Sequence, residues 1–216
     1  MTTFSTSILV IDDHDMILRG AAAALHEEIP GAQVVIARTA AEALEQAAAK
    51  HFAAIVADLN LPGRGGLDMI RQMRRLAPKS PIIVHSMHSE EQFGLAAMRA
   101  GARGYVCKAD GGDLLAKAVR TVMSGRAFVS DDLLNRLAFL AADPDCADPH
   151  EQLSDRELQV YRLIVEGKSG KEIAHQFSLS PKTVSTYRAR LLEKMRMQSE
   201  SELIRYALER RLFASD

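Results

Sequence analysis

Short apolar runs alternate with longer amphipathic stretches along the first part of the chain. Residues 7–11, 33–36, 53–57, 81–85 and 104–107 are rich in Val and Ile and bounded by turn residues. That is the pattern of strands buried on both faces of a parallel sheet. Between them, 14–28, 39–50, 66–76, 90–100 and 110–123 place apolar side chains at helical spacing. In the last stretch, Leu114, Leu115, Ala118, Val119 and Val122 share one face. Five strand–helix repeats in about 120 residues predict a doubly wound α/β domain.

The strand pattern stops at Gly125. Residues 131–142 predict one more helix, with Leu133, Leu134, Leu137 and Leu140 apolar. Residues 143–150 hold two prolines and three acids and nothing to build a core, which reads as a linker. From Leu153 the pattern is helical. Ser154-Asp-Arg-Glu157 is a capping box ahead of Leu158, Val160, Tyr161, Leu163 and Ile164, and Gly167 ends that helix. Residues 171–177 predict a short second helix. Ser180 and Pro181 supply an N-cap and a first-turn proline for a third, running to about Met195. Ser199-Glu-Ser-Glu202 reads as a second capping box, opening a fourth helix through Arg211. Four short helices, the second and third joined by a tight turn, make a small all-α helix-turn-helix unit. The predicted layout is a domain over 1–124, a helical and acidic connector over 125–152, and a second domain over 153–216.

Charge sharpens this layout. The 216 residues carry 27 basic and 28 acidic side chains, a balance that hides an asymmetry. Residues 1–124 have no net charge, 125–152 carry −4 and 153–216 carry +3. Within 180–196, Lys182, Arg188, Arg190, Lys194 and Arg196 stand against Glu193 alone. On charge alone, a solvated helix face is the simpler reading of that stripe. Cys107 and Cys146 cannot form a disulfide framework. No apolar run approaches the roughly 18–20 residues of a membrane helix. The first ten residues lack a basic segment, and Asp12 and Asp13 cut the apolar stretch short. A soluble cytoplasmic protein with no membrane contact is expected.

In open α/β sheets ligands sit beyond the carboxyl ends of the strands, where strand order reverses. Asp12 and Asp13 close the first strand and Asp58 the third, and in a 2-1-3-4-5 order these ends converge. Three carboxylates in one pocket repel one another and need a cation, and hard oxygen ligands with room for water favour Mg²⁺. Ser86 ends the fourth strand with a hydroxyl, and Lys108 follows the fifth with an ammonium group suited to a phosphoryl oxygen. A carboxylate nucleophile, a divalent metal, a hydroxyl and a lysine are what an aspartyl-phosphate site requires.

Residues 8–14 (ILVIDDH), 55–63 (IVADLNLPG), 82–88 (IIVHSMH) and 101–108 (GARGYVCK) closely resemble the receiver domain of two-component response regulators. Leu153-Ser-Asp-Arg-Glu, Glu172-Ile-Ala and 179–184 (LSPKTV) resemble the LuxR-type helix-turn-helix. Together they look like a response regulator of the NarL/FixJ type, over nearly the whole chain. The resemblance implies a flavodoxin-like five-stranded parallel sheet in the order 2-1-3-4-5, followed by a four-helix DNA-binding domain. It implies that Asp58 accepts a phosphoryl group from a sensor histidine kinase. Asp13 would bind Mg²⁺ directly and Asp12 through water, with Asp58 and the main-chain carbonyl of Asn60 completing the set. Ser86 and Lys108 would hold the phosphoryl oxygens, and Tyr105 matches the aromatic that changes rotamer with Ser86. Without the resemblance, a half-buried tyrosine packed on the last strand accounts for Tyr105 equally well.

Some positions depart from the family's common pattern. Ser86 replaces a more frequent threonine and keeps the hydroxyl. Asp15 stands where proline is usual and is expected to add negative charge beside the metal site. Arg64-Gly65-Gly66 makes a glycine-rich loop after the phosphoacceptor, and Gly170 stands where asparagine is frequent. Cys107 is expected to pack rather than react. Histidines 14, 85 and 88 lack the spacing of a zinc site.

Helical spacing from Val184 turns Val184, Leu191 and Met195 inward, with Tyr187 at the edge. It turns Lys182, Ser185, Thr186, Ala189 and Arg190 outward, toward a DNA major groove. Thr183, Tyr187, Arg188 and Lys194 are better placed for phosphates. The recognition helix is therefore 181–195. Leu203, Ile204, Tyr206, Ala207 and Leu208 in the fourth helix suit either self-association or core packing. Double-stranded DNA, the kinase and a second copy of the chain are the expected partners, with RNA polymerase a further candidate. The only chemistry expected is phosphotransfer to Asp58 and its reversal, not enzymatic turnover. Two rivals rank below this reading. Asp13-His-Asp15 superficially fits a dehalogenase-type phosphatase, but Met16 and Ile17 stand where Thr or Val is expected. A degenerate receiver that binds DNA constitutively fits poorly with an intact Asp12, Asp13, Asp58, Ser86 and Lys108 set.

Overall fold

The structure, a computed structural model, describes residues 6–61, 66–143, 147–177, 179–210 and 212–213. The chain divides into two compact units, Met1–Leu137 and Ala138–Asp216. The first is built on β1 (Thr6–Ile11), β2 (Ala32–Ala37), β3 (Ala54–Ala57), β4 (Ile82–Ser86) and β5 (Gly104–Cys107). These form one parallel sheet in the order β2-β1-β3-β4-β5, the expected doubly wound topology. The helices are α1 (Asp15–Glu28), α2 (Ala40–Ala49), α3 (Leu67–Leu76), α4 (Glu90–Ala100) and α5 (Gly112–Met123).

Strand alternation divides the buried residues between two faces. Ile8, Val10, Val56, Ile83 and Val106 join one core with Leu18 and Leu25 of α1 and Leu115, Val119 and Val122 of α5. Their neighbours Leu9, Ile11, Ile55, Ala57, Ile82 and Val84 are also fully buried, which is why the strands read as continuous apolar runs. Register places the chemistry. Ile11 lies opposite both Ala37 and Ala57. The Asp58 N–H donates to the Ile11 carbonyl at 3.0 Å and the Asp12 N–H to that of Ala37 at 3.2 Å. Asp12 and Asp58 therefore leave the sheet side by side.

Beyond α5 the chain returns along the free edge of β5, a turn the apolar pattern did not announce. Tyr105 N–H donates to the Phe128 carbonyl, and Phe128 N–H to that of Arg103, each at 2.9 Å. Gly104 permits the approach, since a Cβ there would stand 3.2 Å from the Phe128 carbonyl oxygen. The predicted helix over 131–142 is present as α6 (Asp131–Ala142), and the division between units falls within it. Arg64, Gly65, Cys146 and the expected helix end at Arg211 lie outside the described residues.

The second unit contains α7 (Asp155–Val165), α8 (Gly170–Gln176), α9 (Pro181–Met195) and α10 (Glu200–Glu209). Its core is Leu158, Val160, Tyr161, Ile164, Ile173, Val184, Leu191, Met195, Leu203 and Ala207, with Tyr161 Oη donating to the Leu203 carbonyl at 2.8 Å. The Ser154–Glu157 capping box forms as read. A reciprocal box also closes at Ser169 and Glu172, whereas none closes at Ser199 and Glu202. Ser199 does accept the Glu202 N–H, at 3.3 Å, but Glu202 returns its carboxylate to the Gln198 N–H at 2.8 Å. The cause is backbone angle. Ser154 and Ser169 cap with φ near −69° and −67°, whereas Ser199 has φ −145°, which turns its own N–H away from the helix. Ser169→Ala should therefore cost about 1 kcal/mol. Urea unfolding followed by tyrosine emission reads this directly, since three of the four tyrosines lie in this unit and there is no tryptophan.

Candidate functional site

The carboxyl ends of β1, β3, β4 and β5 bring together the residues singled out for phosphoryl chemistry. Asp12 and Asp58 are each 1% exposed. Lys108 reaches between them, its Nζ 2.5 Å from Asp12 Oδ2 and 2.8 Å from Asp58 Oδ2. The approach to Asp12 is an ion pair without hydrogen-bond alignment, so Asp12 Oδ2 is a buried acceptor with no aligned donor. Asp58 Oδ1 accepts the Asn60 N–H at 3.1 Å, which fixes the carboxylate plane. Burial pushes the Asp58 carboxyl above its usual range, against the opposing pull of Lys108. For Lys108 burial would lower the ammonium, and the two carboxylates more than reverse it, so its pKa is raised.

Asp13 is partly exposed at the rim, with its carboxylate 2.8 Å from His14 Nδ1. Single oxygens of Asp12, Asp13 and Asp58, with one His14 nitrogen, lie within 4.8 Å of one another. Three carboxylates against one lysine leave the pocket negatively charged. Hard oxygens, a net negative charge and the unaligned Asp12 oxygen fit a hard divalent cation such as Mg²⁺. Asp15 differs from its expected part. Its carboxylate turns outward to Arg38, 2.8 Å away, and that guanidinium holds its pKa below the usual value. Its charge is thus answered locally and is not added to the pocket.

Ser86 is fully buried at the end of β4, and its Oγ accepts the His88 N–H at 3.2 Å. Tyr105, 3% exposed, points inward and donates to the His88 carbonyl at 2.9 Å. His88, which the sequence did not single out for this role, organises the loop between β4 and α4. Its Nε2 lies 3.1 Å from the Asn60 side-chain nitrogen, and its ring stacks on Phe93 with centroids 4.9 Å apart. Nothing in its spacing marks it; only the fold brings Asn60 and His88 together. Cys107 is half-buried at the end of β5.

The other candidate surface is α9. Val184, Leu191 and Met195 face the core. Lys182, Ser185, Thr186, Ala189 and Arg190 are exposed, while Thr183, Tyr187 and Arg188 are half-buried. Ser185 and Thr186 donate their hydroxyls to the carbonyls of Pro181 and Lys182 one turn back, at 3.0 and 3.1 Å. Thr183 shares a 2.8 Å hydrogen bond with the Ser180 hydroxyl. Two of the basic residues have partners inside the unit. Lys194 Nζ is 2.7 Å from the buried Glu157 carboxylate, and Arg188 Nε is 3.2 Å from Glu200. Burial opposes the Glu157 charge, but Lys194 and the Ser154 cap hold its pKa below the usual value. In α10, Leu203 and Ala207 go to the core, Tyr206 Oη lies 3.1 Å from His150 Nδ1, and Leu208 stays 68% exposed.

Comparison with known proteins agrees with this geometry. Residues 8–120 match the response regulator receiver domain, and residues 151–207 match the luxR family of bacterial regulatory proteins. The chain is 32% identical over 204 residues to the response regulator UvrY of Escherichia coli K12, covering 94% of this chain and 93% of that one. It is 34% identical over 197 residues to the response regulator GacA of Pseudomonas protegens, covering 91% and 92%. Among solved structures, a LuxR-family two-component response regulator from Aurantimonas sp. SI85-9A1 is 33% identical. It superposes with a TM-score of 0.54 over 63% of this chain and 98% of that one. RcsB from Salmonella enterica serovar Typhimurium, solved bound to a promoter, shares the fold at a TM-score of 0.64 and 23% identity, covering 94% and 98%.

The buried histidine of β4 gives the first unit a pH signature. Burial, reinforced by the Lys108 charge, lowers His85 from 6.5 to about 4. The unfolded chain therefore takes up the proton first. The stabilisation is complete above about pH 6.5 and is lost as pH falls through about 4. At about 1.4 kcal/mol per pKa unit, His85 accounts for on the order of 3 kcal/mol across that window. Between pH 7 and pH 4 wild type should lose more stability than His85→Leu by that amount, measured by denaturant titration of both proteins.

Proposed function

The chain belongs to the two-component response regulators of the NarL/FixJ type, and on that premise we propose a transcription regulator switched by phosphorylation of Asp58. The observation that carries this reading is the convergence of Asp12, Asp13, Asp58 and Lys108 at three strand ends. In the transfer, an Asp58 oxygen bonds to phosphorus as the nitrogen–phosphorus bond of a kinase phosphohistidine breaks. Asp58 Oδ1 is held by the Asn60 N–H and Oδ2 by Lys108, so the carboxylate is oriented before the donor arrives. Asp12, Asp13 and Asp58, with the main-chain carbonyl of Asn60, would hold Mg²⁺. When bound, that ion supplies positive charge against the phosphoryl oxygens. Lys108 is positioned to follow the new charge, and Ser86 to turn its hydroxyl from His88 toward a phosphoryl oxygen. Tyr105 already faces that loop. The result is a second receiver conformation favoured by charge-assisted contacts absent from the first.

The output is DNA binding by the LuxR-type unit. Lys182 and Arg190, with the small residues Ser185, Thr186 and Ala189, face outward for the major groove. Thr183 and Tyr187, half-buried beside that face, would contact phosphates. Arg188 and Lys194 reach phosphates only by loosening their ties to Glu200 and Glu157. Phosphorylation promotes pairing of two copies, so that two recognition helices meet half-sites about one DNA turn apart. On this reading the protein is a cytoplasmic regulator with RNA polymerase as a downstream partner. It is not an enzyme acting on a separate substrate.

Incubation with acetyl phosphate and Mg²⁺ should add one phosphoryl group to Asp58 by peptide mass spectrometry. Asp58→Ala should gain none, and Asp13→Asn should gain much less at the same Mg²⁺ concentration. An unmodified wild-type chain under these conditions sinks the switch. For the output, Lys182→Ala and Arg190→Ala should each reduce the slope of log affinity against log salt by about 1. Gel shifts on pooled duplexes across a salt series measure this, and slopes equal to wild type would remove both residues from the interface.

A further inference from the structure

The first turn of α4 meets the start of α6 in a contact that the phosphoacceptor site does not use. Glu90 is the first residue of α4, and both its carboxylate oxygens accept the Ser130 main-chain N–H, at 3.0 and 3.2 Å. Ser130 caps α6. Its hydroxyl accepts the Leu133 N–H at 3.2 Å and its carbonyl accepts the Leu134 N–H at 3.0 Å. In a capping box, the N–H of the cap residue is served by Glu or Gln at the third position of the same helix. In α6 that position is Leu133, so the other half of the box comes from a different helix. One turn along α4 from Glu90, Gly94 forms a notch. A Cβ there would stand 2.7 Å from Leu133 Cδ2, and Leu133 is 9% exposed. Glycine inside a helix costs roughly 1 kcal/mol relative to alanine, and here the space it leaves is taken by Leu133.

The same end of α4 is tied to the phosphoacceptor pocket. Its cap, Ser89, lies three residues beyond Ser86. Between them, His88 donates its N–H to Ser86, accepts the Tyr105 hydroxyl and stacks on Phe93 of α4. A change in the Ser86 hydroxyl is therefore felt by the loop that fixes the position of Glu90.

We propose that the Glu90–Gly94 face of α4 is a clasp that holds the start of α6 while Asp58 is unphosphorylated and releases it once Ser86 turns to the phosphoryl group. The inference rests on the phosphorylation reading above. Turning Ser86 withdraws the acceptor of the His88 N–H, the loop re-forms, the first turn of α4 shifts, and Ser130 loses its carboxylate. Since α6 runs across the division between the two units, loosening its start lengthens the tether to the DNA-binding unit.

Hydrogen exchange by mass spectrometry on the full chain tests this at the amides of 130–136. Samples are compared with and without acetyl phosphate and Mg²⁺, and intact mass reports phosphorylation of each one. In wild type these amides should exchange about five- to tenfold faster once Asp58 is phosphorylated, the loss expected of a helix cap. Glu90→Ala and Gly94→Val should exchange fast in both states, and Glu90→Gln, which can still accept the N–H, should behave as wild type. A chain phosphorylated by mass but unchanged at 130–136 overturns the clasp and leaves the phosphorylation reading standing. Glu90→Ala exchanging like unphosphorylated wild type overturns it too. A wild-type chain that takes no phosphoryl group overturns the reading and the clasp together.

Discussion

One ammonium group between two buried carboxylates sets the terms for the first unit. Taking Lys108, Asp12 and Asp58 out of water costs several kcal/mol per ion, and only short, well-oriented contacts return it. The aligned hydrogen bond to Asp58 at 2.8 Å supplies that return in part, and the ion pair with Asp12 at 2.5 Å adds attraction without alignment. They also impose geometry, because Asp12 follows β1, Asp58 follows β3 and Lys108 follows β5. The three strand ends must stay level for the charges to meet, and the register that pairs Ile11 with Ala57 keeps β1 and β3 level. The arrangement is still not electrically complete. With Asp13 at the rim, carboxylates outnumber the lysine, and the pocket is stable only in part by its own means. Added positive charge relieves that excess, and an added phosphoryl group would redirect Lys108. A site balanced in this way responds to charge because it is built from charge.

The strands and the positions of the site residues were legible from where the apolar runs end, and the resemblance to receiver domains implied the strand order that makes those ends converge. In a parallel doubly wound sheet, the end of an apolar run is also a place in space. Reading where the runs stop at Asp12, Asp58, Ser86 and Lys108 therefore located the pocket. What remained hidden were the partners of side chains across long separations. Asp15 looked like a fourth acid for the site because Arg38, which holds it, lies 23 residues away. Lys194 looked available to phosphate because Glu157, which takes it, lies 37 residues away. The Phe128 segment along β5 and the Glu90 carboxylate at Ser130 escape a local pattern for the same reason. Helix caps fall between the two cases. The residue types that make a box were visible at Ser154 and Ser199, but φ at the cap decided whether the reciprocal bond closes, and φ is not written in the residue type.

The second unit shows how a charge count can overstate a binding surface. Its basic residues serve two purposes, and Lys194 and Arg188 are largely engaged in holding the helices together. The outward face of α9 keeps Lys182 and Arg190 as its cationic side chains, beside two hydroxyls that donate back into the helix. A hydroxyl satisfied one turn back gains little by moving to a base edge, since one hydrogen bond is exchanged for another. Discrimination by such a face falls to the two long cationic side chains, to methyl contacts and to DNA shape. On the proposed reading this makes a single copy a weak and salt-sensitive reader, and joining two copies the step that raises affinity without any new base contact. Control by phosphorylation then acts at an effective lever, because it governs whether two weak sites count as one strong one.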